Sequence, residues 1–262
     1  MKNLHDSAIS NSVFFRSGLF MWPNRILYFG PKYRLDLHMH CATVLHVGLH
    51  DHFYIRFNNT NWLPSRCAIV PAGINHEMRF PRGVFGKLFV EWGSLEYDCF
   101  KCRFPHSKNR AKLFYDNDVI KCFQRMYEPR FNKKSMYQHV NTLIAFKEET
   151  KLGHDLRIQK AIELTTNDIA TNLSIEAVAK EVDLSSSRFR HLFVEETGVT
   201  YSQFRNWKRL LAAEVNLNTL DSLTWAAIDA GFSDVSHFSR NYKNTFGVTP
   251  SSVFKSLNSF EV

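Results

Sequence analysis

No stretch of this 262-residue chain approaches the roughly 18–20 consecutive apolar residues that a membrane-crossing helix needs, so no membrane partner is expected. Met1 to Asp6 lack the basic-then-apolar order of a secretory leader. Cysteine is sparse: Cys41, Cys67, Cys99, Cys102 and Cys122 are odd in number and scattered, a usage that suits a reducing compartment and leads to an expected cytoplasmic location. Cys99-Phe-Lys-Cys102 has metal or redox spacing, with His106 and Cys122 downstream. It lacks a second such pair and a flanking βαβ pattern, so ordinary cysteines near a strand end are expected. Phosphate loops, paired carboxylates and nucleophile–base pairings are also missing, and the chain is not expected to be an enzyme.

Acidic residues are in deficit: 25 Asp and Glu face 33 Lys and Arg, for a net charge of +8. The surplus is uneven. From residue 155 onward 11 basic residues face 13 acidic ones, whereas residues 1–154 hold 22 against 12. A nucleic-acid reading of the second part must therefore rest on motif and local placement rather than bulk charge.

What is present begins with a pattern used twice. Ser174 to Phe193 and Thr224 to Tyr242 each read as a hydroxyl cap (Ser174, Thr224), a short alanine-bearing helix, a tight turn, a second cap (Ser185, Asp234) and a second helix. In the first copy Ile175, Val178, Ala179 and Val182 share one stripe, and Phe189, Leu192 and Phe193 the next. In the second copy the stripes are Trp225, Ala226 and Ile228, then Val235, Phe238 and Tyr242. Alanines where the helices cross permit the close, steep approach of a helix-turn-helix, which presents its second helix to the DNA major groove.

Arg209-Leu-Leu-Ala-Ala213, Gly231 to Lys243 and Phe246-Gly-Val-Thr-Pro-Ser251 resemble the linking-helix motif and signature of the AraC/XylS transcription regulators. The resemblance covers residues 155–256, about two fifths of the chain. It implies a DNA-binding domain with two helix-turn-helix units, promoter DNA as ligand, RNA polymerase as partner, a homodimer, and activation as the usual role. By the resemblance, base contacts fall on the outward face of each second helix: Ser187, Arg188, Arg190 and His191 in the first unit, and Ser236, His237 and Arg240 in the second. Arginine can bond guanine O6 and N7 in bidentate fashion, and Ser and His can donate to bases or phosphates. Lys208, Arg209 and Lys243 are expected to meet phosphates or internal carboxylates.

Residues 1–110 read as β structure. Short apolar runs are broken at Pro23-Asn24, Gly30-Pro31 and Pro81-Arg82-Gly83, and seven of the eight prolines precede residue 130. Leu35 to Leu49 alternates, with Leu35, Leu37, Met39, Cys41, Leu45, Val47 and Leu49 on one face and His38, His40, Ala42, Val44, His46 and Gly48 on the other. Phe53–Phe57, Ala68–Val70 and Lys87–Trp92 supply further strands, together suggesting a small barrel or sandwich. Pro71-Ala-Gly-Ile-Asn-His76 resembles the second motif of cupins and His38-Met-His40 part of the first, which implies a cupin-like sensor barrel. The glutamate of metal-binding cupins is replaced by Val44 and Leu45, so no metal and no cofactor are expected. His38, His40, His46 and His76, with Arg56, are the candidate ligand-binding residues.

The basic surplus (Arg34, Arg56, Arg66, Arg79, Arg82, Lys87, Lys101 and Arg103) would suit an anionic small-molecule effector, or solubility and attraction to DNA. Lys101 to Lys112 reads as loop. Residues 115–150 switch to helical spacing, with Val119, Ile120, Phe123, Met126 and Tyr127 on one stripe and Tyr137, Val140, Leu143 and Ile144 on another, separated at Pro129 and Asn132. These helices suit dimerisation or packing on the barrel. Glu148 to Asp155 is the expected linker, weakest at Gly153. The fold expected is α+β, with a cupin-like sensor and dimerisation domain over 1–150 (barrel about 1–110, helices about 115–150) and an all-α DNA-binding domain over 155–262. The function expected is a sequence-specific transcription regulator. The alternatives are a cupin-type metal-binding enzyme or metal sensor with accessory helices, and a regulator without effector whose barrel only dimerises.

Overall fold

The computed structural model describes residues 17–262 except 32–33, 59, 82–83, 129–131, 170–172, 221, 255–256 and 258. Met1 to Asp6, Arg82, Gly83 and Pro129 lie outside the described residues. Nine strands come first: β1 (Gly18–Trp22), β2 (Arg25–Pro31), β3 (Arg34–His38), β4 (Thr43–Gly48), β5 (Phe53–Phe57), β6 (Leu63–Ser65), β7 (Cys67–Val70), β8 (His76–Arg79) and β9 (Val84–Val90). Then follow α1 (Leu95–Arg103), β10 (Lys112–Phe114), α2 (Asn117–Met126), α3 (Lys133–Leu143), α4 (Leu156–Asn167), α5 (Ile175–Glu181), α6 (Ser186–Thr197), α7 (Tyr201–Leu220), α8 (Leu223–Asp229), α9 (Val235–Phe246), α10 (Pro250–Phe254) and β11 (Ser259–Glu261).

The strands make a seven-stranded sheet in the order β10-β7-β4-β9-β2-β1-β11 and a four-stranded sheet in the order β3-β8-β5-β6. Leu27, Leu45, Ile69 and Leu88 of the larger sheet join Leu35, Phe53, Ile55 and Met78 of the smaller in one core. Removing that apolar area from water stabilises the sheets at about 25 cal/mol per Å². The run from Leu35 to Leu49 is two strands rather than one alternation. A register shift between Leu35 and His38 turns Leu37 outward, 54 % exposed, and leaves Leu35 and His38 both inside. β4 is buried on both faces, which period-two reading cannot express.

The segment expected to be wholly β holds a helix. Ser94 caps α1 by accepting from the Tyr97 N–H. Cys99 is buried there and Cys102 exposed, so the Cys-x-x-Cys pair does not converge. Val119, Ile120, Phe123 and Met126 bury one face of α2, and Asn132 opens α3 with a capping box. The expected linker is tied down. Asp98 of α1 accepts from the Leu152 N–H (3.0 Å) and meets His154 Nε2 at 2.6 Å, while Gly153 has open space around it.

The helical part is built as two short–long pairs around α7. Ser174 and Ser185 cap α5 and α6, and Asp234 caps α9. The cap of α8 is Ser222 rather than Thr224. Thr200 and Gln203 cap α7 reciprocally, the Gln203 N–H on Thr200 Oγ1 and the Thr200 N–H on Gln203 Oε1. Phe189, Phe193, Tyr201 and Phe204 pack ring against ring between α6 and α7. Phe238, Tyr242 and Phe232 do so in the second pair, over Ala226, Ala227 and Ala230. Trp225 and Ile228 leave the expected stripe and stand 66 % and 46 % exposed. The small alanines, which let α8 approach, are the core there.

Candidate nucleic-acid interface and the core beneath it

The capped starts of α6 and α9 carry the outward residues. Ser187, Arg188, Arg190 and His191 are all exposed on α6. Arg190 reaches back to Glu176 of α5 at 3.2 Å, and His191 donates from Nδ1 to the Ser187 carbonyl at 2.9 Å. On α9, Ser236 and Arg240 are exposed. His237 is half-buried against the Phe232 ring, its Nδ1 3.2 Å from Ser233 Oγ. Exposed arginines on the first turns of a groove-sized helix can reach base edges, and a weak surface pair such as Arg190–Glu176 is readily exchanged for a phosphate or guanine.

Three other basic residues have internal roles. Lys208 is buried on Glu91 of the strand-rich part, whose second oxygen accepts from Trp207 Nε1 at 2.8 Å. Of the two roles open to Lys208, the internal carboxylate is the one the geometry shows. Arg209 is buried beneath Gly231, whose φ of +87° favours glycine and where a Cβ would stand 3.1 Å from Arg209 Nε. Lys243 lies 3.3 Å from Asp36 of β3, both half exposed.

The far ends of the same two helices rest on the sheets. Gly198 ends α6 and Gly247 ends α9, both left-handed as helix C-caps require. A Cβ at Gly73 would stand 2.1 Å from the Gly198 carbonyl, and one at Gly247 would stand 2.8 Å from the Asp36 carbonyl. Asp36 N–H donates to Gly247 O (3.0 Å) and Met39 N–H to Asn244 O (3.1 Å). β11 completes the joint by pairing in parallel with β1.

Within the joint lies a cavity of about 40 Å³, lined by Tyr28, Phe85, Lys87, Phe89, Glu214 and Tyr242 among others. Burial pushes Lys87 down to about 7 and Glu214 up to about 8; burial also raises Tyr242, whose hydroxyl bonds Glu214. The structure brings His38, His40 and His76 together in the buried core close by, with His46 beside them. Arg56 does not join them. It holds Glu77 through two 2.9 Å bonds and lies over the Trp62 ring. Most of the other basic candidates are likewise engaged: Arg34 with Asp36, Arg66 with the Gly48 and Leu49 carbonyls, Arg79 over Trp62. Glu91, Lys87 and Glu214 are the joint residues that pattern reading did not single out as a set. Each sits in an apolar run (Phe89-Val-Glu-Trp92, Gly86-Lys-Leu88, Ala212-Ala-Glu-Val215), and a charge inside such a run is the one signal available.

Residues 178–256 match the family described as a helix-turn-helix domain. Regulatory protein PocR of Salmonella typhimurium is 30 % identical over 106 residues, 40 % of this chain and 35 % of that protein. The arabinose operon regulatory protein of Escherichia coli is 32 % identical over 99 residues, 37 % of this chain and 34 % of that protein. The chain thus spans about a third of the length of these curated relatives. Among solved structures, an apo form of ToxT from Vibrio cholerae superposes with a TM-score of 0.63 at 13 % identity, covering 93 % of this chain and 98 % of that one. ToxT crystallised with an unsaturated fatty acid gives 0.59 at 14 %, covering 91 % and 98 %. At such identity the likeness is one of fold. The chain therefore carries, over residues 178–256, a helix-turn-helix domain of the AraC/XylS type, on a fold it shares with ToxT.

Proposed function

We propose that the chain is a sequence-specific DNA-binding transcription regulator, not an enzyme, acting on promoter DNA in the cytoplasm. The observation that carries this is the pair of capped, outward-facing helices α6 and α9, which come before and after one 20-residue helix in the chain and both pack on it. At 1.5 Å per residue α7 is about 30 Å long, close to one turn of DNA, so the pair suits successive major grooves on one face. The division proposed is a sensor and dimerisation part over 1–150, with α2 and α3 as the dimerisation elements, and a DNA-binding part over 155–262. Activation through RNA polymerase and a homodimer are part of the proposal; activation is supported by relatives named an operon regulatory protein and a transcriptional activator.

A small-molecule effector is proposed for the strand-rich part, with Lys87 as the cation of the joint cavity. The fatty acid in the ToxT structure supports a ligand on this fold. The cavity here holds only about three waters. An effector of ordinary size must therefore part the joint, which is how it would bias one arrangement over another.

The test is selection of a randomised duplex library by the full chain and by residues 150–262. Enrichment of two half-motifs about one helical turn apart is expected. Arg190→Ala and Arg240→Ala should each weaken the selected duplex by about 1–3 kcal/mol and relax preference in one half-motif only. No enrichment by either protein at moderate salt would overturn the regulator reading.

A further inference from the structure

Three imidazoles converge under the joint. One ring nitrogen from each of His38, His40 and His76 lies within 4.8 Å of the other two. The rings are 2 %, 1 % and 0 % exposed, and His46 behind them is 0 % exposed. Backbone carbonyls fix two tautomers, because a carbonyl oxygen only accepts. Nδ1 of His38 sits 2.7 Å from the Asp36 carbonyl and Nδ1 of His76 2.9 Å from that of Ile74, so both carry the proton there. Their Nε2 lone pairs are left without partners, as are both ring nitrogens of His40 and of His46. Buried nitrogens without partners are costly, and the four lone pairs among these six, one on each neutral ring, ask for something that takes up lone pairs. Nδ1–H on a carbonyl with Nε2 turned inward is how proteins orient metal-ligating histidines.

We infer that His38, His40 and His76, with His46 as a fourth donor, form a site for a divalent transition ion, and that its occupancy is transmitted to both helix-turn-helix units. The donor set is all imidazole, which suits zinc, nickel or iron(II) and excludes calcium and magnesium, whose ligands are oxygens. Val44 and Leu45 stand where metal-binding cupins place a carboxylate, and His46 of β4 is the donor this chain offers instead. Its ring centre lies 5.5 Å from that of His76 and 6.0 Å from that of His40.

The link to the helices is steric. A Cβ at Gly247, the cap of α9, would lie 2.8 Å from His38 Nδ1. Gly73, seated against the cap of α6, donates its N–H to the His40 carbonyl at 2.9 Å. Zinc–nitrogen bonds of about 2.0–2.1 Å require ligand nitrogens about 3.3 Å apart. Drawing the three rings to that spacing moves β3 and the turn before His76, which are the seats of α9 and α6. Because the cluster is buried beneath those seats, an ion enters a folded chain only when the joint opens.

The full chain, free of any histidine tag and stripped with a chelator, is titrated with Co²⁺ alone and then Zn²⁺. The expected result is one Co²⁺ per chain with the visible d–d bands of a nitrogen-bound ion, displaced by Zn²⁺. His40→Gln and His76→Gln, checked for folding by circular dichroism, should each weaken binding by more than tenfold, and the exposed-histidine variant His50→Gln/His52→Gln should bind as the parent does. Should the first two variants not fold, the parent protein still decides. Absence of d–d bands at micromolar Co²⁺, or binding lost in His50→Gln/His52→Gln, overturns the site. Transmission is read separately by hydrogen–deuterium exchange, without DNA. Exchange at 34–40, 71–76, 197–199 and 244–249 should change several-fold with Zn²⁺, and unchanged exchange in a Zn²⁺-loaded protein overturns the coupling.

Discussion

Glu214 shows how much one buried carboxyl decides. In the folded chain burial raises it to about 8, against an ordinary value of 4.5. An acid raised on folding stays protonated in the native state where the unfolded state has already lost its proton. Stability is therefore full below about pH 4.5, falls as pH rises toward about 8, and is flat beyond. Over that window the loss is on the order of 3–5 kcal/mol. Glu214→Gln, which keeps a partner for Tyr242 without a charge, should match the parent near pH 5 and melt higher than it at pH 8. Thermal unfolding across pH 5–9 measures this, and parallel curves would show that Glu214 titrates normally. The sequence shows Glu214 only as an acid in an alanine-rich helix, because depth of burial is not a property of nearest neighbours along the chain.

At the scale of elements, the joint rests on a few contacts between β3, the turn at Pro71 to Asn75, the end of β9 and the helices α6, α7 and α9. Glu91 takes Trp207 on one oxygen and Lys208 on the other. Removing one member of a buried charge pair leaves the other without compensation, typically costing about 3–5 kcal/mol. Lys208→Ala should destabilise the chain by about that much, and Lys208→Met combined with Glu91→Gln should recover most of it in urea unfolding. Equal losses in single and double variants would show that the pair contributes by packing alone. Gly247→Ala tests the second seat. Its φ of +75° and the 2.8 Å approach to Asp36 O leave no space for a methyl, so faster proteolysis near residue 247 is expected, with α9 itself intact. A variant as resistant as the parent would show that the joint yields without cost.

For the whole molecule, α7 would set the geometry of the DNA recognition proposed above. Both α6 and α9 pack on it, while both C-caps rest against the strand-rich part. A duplex that meets both helices at once must follow the α7 axis. Bending a site of this size costs on the order of 1–6 kcal/mol, offset by the second set of contacts. Circular-permutation mobility of the selected duplex should show a bend centred between the half-motifs. It should vanish in Arg240→Ala if that variant releases the second groove, and straight DNA in the parent complex would mean that one unit engages at a time.

The chain alone determined the elements whose cause is local. Caps at Ser174, Ser185 and Asp234, the break at Asn132, the stripes of α2, α3, α6 and α9, the strands β5 and β7, and the twice-used helix pair are all written in neighbouring residues. Tertiary structure decided what depends on distant partners. It put a bulge in β3 so that Leu37 faces out, turned Trp225 and Ile228 to solvent, buried Lys208 on Glu91 across 117 residues, and gathered four histidines from three strands and a loop beneath two helix caps. Periodicity reports which face a residue shares, and burial depends on what packs against that face. Only the folded chain brings those opposing surfaces together.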